Sequence, residues 1–146
     1  MKRSLFPALA DALTTTEIDQ KLALTATVAT DWRTGQLDWQ DTAPIILVCG
    51  RPLKPELVPH RQVLQRGAKS PEGRARLLHA IVHIEFSAIN LALDHAARFR
   101  GMPEQYYADW IGVAAEEAYH FTLLRERLLS LGYDYGDFPA HAGLWH

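Results

Sequence analysis

Hydrophobic and polar positions in the second half of the chain recur at the spacing of two long helices. Ser70 as a cap and Pro71 at the first helical position mark a helix that runs to residue 100 and ends at Gly101. A second helix is predicted over residues 103–131, ending at Gly132. Each would be about 45 Å long at 1.5 Å per residue. Because the link between them is about two residues, they must fold back as a long antiparallel hairpin.

The first half of the chain has a weaker pattern. A short helix is predicted over residues 4–13 and a second over 15–33, where Thr14 and Glu17 have the spacing of a capping box. Residues 34–70 are rich in proline and glycine and are predicted to form an extended strap, in which IILVCG has the composition of one short strand. The fold is therefore expected to be all-α, with a helical and extended segment over 1–69 and the hairpin with an aromatic tail over 70–146.

Composition and charge narrow the classes of protein. The chain is 48% hydrophobic and 22% charged, with a net charge of −2 and a single cysteine. These values are typical of a cytoplasmic globular protein, and no uninterrupted apolar run is long enough to span a bilayer. The short apolar start is broken by Pro7 and Asp11, so a signal peptide is not expected. The basic run from Arg51 to Arg76 could bind RNA, but a solvated strap is preferred, because residues 51–70 have no aromatic ring for stacking.

Two glutamates fall among the apolar positions of the predicted hairpin. On a helical wheel of about 100° per residue, Glu85 lies in the middle of the apolar stripe of the first helix. Glu117 lies in the middle of the stripe of the second helix, and His120 lies at its edge. Glu116 is farther round and is expected to face solvent or to support the site from behind. Since Glu85 and Glu117 are each sixteen positions from Gly101, the hairpin should set them at the same height.

Two carboxylates and an imidazole in an apolar stripe favour a bound metal ion. Like charges repel each other, and a buried carboxylate is costly unless it is paired or coordinated. Without a thiolate, this ligand set favours iron, or alternatively manganese. A buried polar network without metal is the plainer alternative. Tyr106 and Trp110 are candidates for redox-active neighbours of a metal, although core packing is the preferred interpretation for both.

Other histidines are given no role. His79 and His83 are spaced as zinc ligands can be, but they fall on the polar side of their helix, and we expect exposed histidines there. His141 and His146 lie in the aromatic tail YDYGDFPAHAGLWH, which should fold back on the helices.

The segments HAIVHIEFSAINLALDHAARF and MPEQYYADWIGVAAEEAYHFTLLRERLLSLGYDYGDFPAHAGLW resemble the ferritin-like family known as domain of unknown function 455. That family is similar in outline to the di-iron hydroxylase that modifies isopentenyl-adenosine in tRNA. The resemblance implies that Glu85, Glu117 and His120 are metal ligands of a di-iron oxidase or monooxygenase. The pattern of one Glu and one Glu-x-x-His is half the ligand set of a ferritin-like four-helix bundle.

The sequence contains no second Glu-x-x-His, so the other half of the ligand set must come from elsewhere. The chain could be a fragment of a longer protein, could form a homodimer through its apolar helix faces, or could have lost the metal. Two function classes follow: a di-iron oxidoreductase, or a non-enzymatic helical assembly with a structural or vestigial metal site. Iron storage is a weaker third, because nothing in the sequence indicates a shell-forming surface. The substrate is not readable from these residues.

Overall fold

The computed structural model of the protein describes residues 2–40, 44–58 and 70–141. Its regular elements are helices α1 and α2, the long helices α3 and α4, and four two-residue strands. In chain order they are β1 (Arg3–Ser4), α1 (Leu5–Thr14), α2 (Ile18–Arg33), β2 (Leu37–Asp38), β3 (Leu57–Val58), α3 (Pro71–Arg98), α4 (Glu104–Ser130) and β4 (Ala140–His141). β1 pairs in parallel with β2, and β3 in parallel with β4. The all-α expectation is confirmed, because the strands are only these short pairs.

The residues that cap the long helices are those predicted from the sequence. The Ser70 hydroxyl accepts a hydrogen bond of 2.9 Å from the Gly73 N–H, which satisfies one of the free donors at the start of α3. Gly101 and Gly132 have φ values of 72° and 90°, the left-handed conformation that glycine adopts most readily at a helix end. The predicted starts and ends of α3 and α4 are therefore confirmed to within two residues.

The cap of α2 differs from the prediction. Glu17 itself is the cap, and its carboxylate accepts from the Asp19 and Gln20 N–H groups. Thr14 instead ends α1, with its hydroxyl donating to the Ala10 carbonyl.

The prediction of a strand at IILVCG was also wrong, because residues 44–50 contain no strand. Within the described residues, this segment pairs with no other strand. The Gly50 N–H instead donates a hydrogen bond to the Leu13 carbonyl at the end of α1.

The chain forms two compact units, and each contains part of both long helices. The first comprises Met1–Pro52 with Ala88–Ala118, and the second Leu53–Ser87 with Tyr119–His146. The predicted division at residue 69 falls in the segment 59–69, outside the described residues, and stays a prediction. In the first unit, α1 packs on α2, and its core contains Leu5, Phe6, Leu9, Leu13, Val28, Ile89, Leu93, Tyr107 and Ile111. In the second, the core contains Ala75, Val82, Phe86, Phe121, Leu128, Tyr135 and Phe138.

Contacts within each unit show that α3 and α4 are antiparallel. In the first unit the Tyr107 hydroxyl donates to the Phe99 carbonyl, and the His95 ring stacks on Trp110 with centroids 4.5 Å apart. In the second unit Phe86 contacts Phe121 at 5.9 Å. The residue numbers in these pairs add to nearly the same value, which is the signature of an antiparallel pair. The predicted helix hairpin is therefore confirmed.

The polar side of α3, where exposed histidines were expected, is buried. Asn90 is 4% exposed, and its side-chain oxygen accepts from Lys21 Nζ at 2.6 Å while its NH₂ group donates to the Gly50 carbonyl at 3.1 Å. Lys21 Nζ also donates to the Ala12 and Leu13 carbonyls. Asn90 on this side of α3 therefore connects the helix to the end of α1, through Lys21, and to Gly50 of the strap.

By length and composition, α3 is also able to cross a membrane. Its most apolar 18-residue window has a mean hydropathy of 1.3, and half of that window is buried inside the structure. Core helices of soluble proteins pass the same test, so this is weak evidence for a membrane. A cytoplasmic location stays a prediction.

Candidate metal centre

Glu85 on α3 meets Glu117 and His120 on α4. Each residue offers one ligand atom, and these atoms all lie within 4.8 Å of one another. Glu117 and His120 are three positions apart, so they lie one above the other on the same face of α4. The antiparallel register brings the carboxylate of Glu85 to their height. The three residues that the wheels selected are thus brought together in the fold.

One oxygen of this cluster lacks a partner. Glu85 Oε2 is buried, and within the described residues it has no hydrogen-bond donor. A buried acceptor without a donor costs about 1–3 kcal/mol, and more when the group is charged. A cation removes both this penalty and the repulsion between the two carboxylates. The ligand atoms of one ion with bonds of about 2.1 Å lie within about 4.2 Å of one another, so the observed spacing is close to that of a metal site.

All three side chains are half-buried. The fully buried arc of α3 is rotated away from Glu85, toward Phe86, Leu93 and Ala97. Several apolar residues on the other flank are exposed: Leu77, Ile81, Ile84 and Leu91 on α3, Phe99 just after its end, and Val113 and Leu123 on α4. We call these residues the open apolar face. The cluster therefore lies at the border between the core and the open apolar face.

The predicted supporting residues lie outside the cluster. Glu116 is exposed. The Tyr106 hydroxyl donates to the His95 carbonyl at 2.7 Å, and Trp110 stacks on the His95 ring. Desolvation raises the pKa of Tyr106. These contacts are those of hairpin packing, and a role beside a metal stays a prediction for all three residues.

The expectation that His79 and His83 are exposed was wrong. They are 1% and 6% exposed. His79 Nε2 accepts a 3.0 Å hydrogen bond from the Gly136 N–H, and His83 Nδ1 lies 2.8 Å from the Tyr135 hydroxyl. The tail after α4 folds onto α3 and covers both rings, so the predicted docking of the tail is confirmed over its described part. Neither histidine belongs to the cluster. The signal that sequence reasoning missed was a second stripe on α3, made of polar residues.

Burial makes His79 an acid-sensitive group. Desolvation, followed by the charge of His83, lowers the pKa of His79 from 6.5 to about 4. Because the folded pKa lies below the unfolded one, this residue destabilises the protein as the pH falls from 6.5 towards 4. At pH 5 the expected loss is about 2 kcal/mol relative to pH 7.5. Urea unfolding at both pH values should show a smaller difference for His79→Gln; an equal difference in the variant would contradict this assignment.

Fold and cluster together define a helical protein with a Glu/Glu/His group of potential metal ligands. The family model described as protein of unknown function (DUF455) matches residues 14–146, so the chain belongs to that family. The chain is 48% identical over 115 residues to an uncharacterized protein of Haemophilus influenzae (strain ATCC 51907 / DSM 11121 / KW20 / Rd). The match covers 74% of this chain but 40% of the relative. No solved structure matches the chain.

Proposed function

We propose that the protein is a ferritin-like metal-binding protein that contributes Glu85, Glu117 and His120 to a di-iron, or alternatively di-manganese, oxidoreductase site. The observation that carries the proposal is the buried, unpartnered Glu85 Oε2 beside a second carboxylate and an imidazole. An oxygen-rich set with one nitrogen and no thiolate suits iron or manganese better than zinc.

Each of the three residues has a distinct role in the proposed metal site. Glu117 and His120 are the i, i+3 pair that ferritin-like bundles place on one helix, and Glu85 is the single carboxylate of the neighbouring helix. Two iron ions held in this way would supply activation of O₂ and the oxidation or hydroxylation of a substrate. The hairpin register brings the three side chains together without a metal, and Glu85 and Glu117 would neutralise part of the charge of a bound ion.

A complete site needs a second Glu and a second Glu-x-x-His. The match spans only 40% of the length of the Haemophilus relative, so further chain is one source of these ligands. A second copy related by a two-fold axis is another, and a homodimer through the open apolar face would supply it. Both sources would also cover the apolar residues that α3 and α4 leave exposed.

Metal loading tests the proposal. After anaerobic titration with Fe²⁺ and removal of loosely bound ions, we expect about one ion per chain in a self-completed dimer and about two where one chain supplies both halves. Exposure to air should then oxidise the bound iron, which absorption spectroscopy follows. Native mass spectrometry gives metal content and oligomeric state in one measurement. Less than one iron ion per two chains, with no oxidation in air, would contradict the di-iron assignment.

A non-enzymatic assembly module is the second candidate, and the open apolar face favours it. Ile84 is 43% exposed and Leu91 is 41% exposed on a helix whose other flank is buried. Apolar residues grouped in this way mark an interaction surface. If Glu117→Ala keeps the oligomeric state and thermal stability of the protein, and no metal-dependent oxidation is found in the parent, the assembly function is supported instead.

A further inference from the structure

Tyr135 in the tail contacts the neighbours of two proposed ligands. Its ring centroid lies 5.5 Å from that of Phe86 and 5.4 Å from that of Phe121. These two rings are 5.9 Å from each other, so the three form a closed triangle. Phe86 follows Glu85 in α3, and Phe121 follows His120 in α4. The triangle therefore joins the two helices beside the proposed metal site.

Residues of α3 and α4 fix the position of Tyr135 and of the residue before it. The Tyr135 side chain is 6% exposed, and its hydroxyl lies 2.8 Å from His83 Nδ1. The ring also stacks on His79, with centroids 5.3 Å apart. Just before it, Asp134 accepts from Arg125 at 2.9 Å, and hydrogen bonding to Arg125 lowers the pKa of the Asp134 carboxyl. The Tyr135 ring is therefore buried and held by several contacts, unlike a loosely packed surface ring.

We infer that Tyr135 is a positioning residue for the proposed metal site, acting through Phe86 and Phe121 on the helix segments that carry Glu85 and His120. Neighbouring residues on a helix differ by about 100°, so the triangle lies on the flank of Glu85 and His120. Removing one ring opens a cavity into which α3 and α4 relax. Metal ligands must be held within about 0.5 Å of their binding geometry, so a movement of α3 and α4 into the cavity would weaken metal binding. This inference rests on the proposed function.

The test measures Mn²⁺ binding to the protein by electron paramagnetic resonance, in which the signal reports the concentration of free ion. Tyr135→Leu should weaken binding by about tenfold, the size seen when residues that orient metal ligands are lost. Tyr135→Phe keeps the triangle and loses only the hydroxyl, so its affinity should stay within about threefold of the parent. The visible spectrum of bound Co²⁺ should change in Tyr135→Leu and be preserved in Tyr135→Phe.

Tyr133→Leu is the matched control. Tyr133 lies two positions away in the same tail, and its ring contacts Phe138 at 5.0 Å instead of the two rings of the triangle. It should weaken tail packing and leave Mn²⁺ affinity unchanged. Equal loss in both leucine variants would overturn the inference, because the cause would then be general loosening of the tail.

Phe86→Leu removes a different ring of the triangle and provides the test if Tyr135→Leu does not fold; it should also weaken binding by about tenfold. Parent-like Mn²⁺ affinity in whichever variant is folded, together with loss of binding in Glu117→Gln, overturns the inference and leaves the proposed function standing. Mn²⁺ binding that survives Glu117→Gln overturns the metal site itself and the inference with it.

Discussion

Glu117→Gln is expected to lower the affinity of the protein for Mn²⁺ and Fe²⁺ by about 100-fold or more. Glutamine has the shape of glutamate but no charge, so the variant keeps the packing of α4 and loses the ligand. Residues that only orient a ligand are worth about 10–100-fold in metal affinity, and a direct ligand should exceed this range. Without metal, the variant should be at least as stable as the parent, because repulsion between Glu85 and Glu117 is relieved. Calorimetric titration and thermal melting measure the two effects.

Glu116→Gln is the matched control for this substitution. The two glutamates are adjacent in α4, but Glu116 is exposed and Glu117 belongs to the cluster. The control changes net charge by the same amount, and because Glu116 lies outside the cluster, it should lower metal affinity far less than Glu117→Gln does. An equal loss in both variants would show that the charge of the whole surface attracts the ion, and the assigned ligand set would then be wrong.

Lys21→Met is expected to destabilise the protein by about 3 kcal/mol. Lys21 is 1% exposed and donates to the Ala12 and Leu13 carbonyls and to the Asn90 side chain, at 3.0, 2.7 and 2.6 Å. The two carbonyls are at the end of α1, where backbone acceptors have no partner in the helix and a cation is favourable. Burial lowers the pKa of Lys21 from 10.5 to about 8. The charge is therefore costly to bury, and the three hydrogen bonds offset that cost.

Urea unfolding measures this loss, and two further variants locate its cause. Lys2→Met removes an exposed lysine and should change the free energy of unfolding by less than about 0.5 kcal/mol. Asn90→Leu combined with Lys21→Met should be less destabilising than the sum of the single substitutions, because each single change leaves the other polar partner buried. Strict additivity would show that the Lys21–Asn90 hydrogen bond contributes nothing of its own.

Local signals in the sequence were enough for the helices of the second half. Ser70, Pro71, Gly101 and Gly132 act on their immediate neighbours, and the short link at Gly101 leaves an antiparallel hairpin as the outcome. The meeting of Glu85 with Glu117 and His120 followed from the same facts, since equal distances from a tight turn set a register. Wheel and register together therefore predicted the cluster without any knowledge of tertiary contacts.

The buried side of α3 could not be predicted from local signals of this kind. The periodicity of α3 contains two stripes, one apolar through Glu85 and one polar through His79 and Asn90. The sequence by itself determined the helices, their register and the three residues of the cluster, because these depend on caps, turns and helical spacing. Only the tertiary structure decided that the polar stripe is buried and the open apolar face is not. The reason is that partners distant in the chain, Lys21 for Asn90 and Tyr135 for His83, satisfy the polar groups, and helical periodicity carries no information about them.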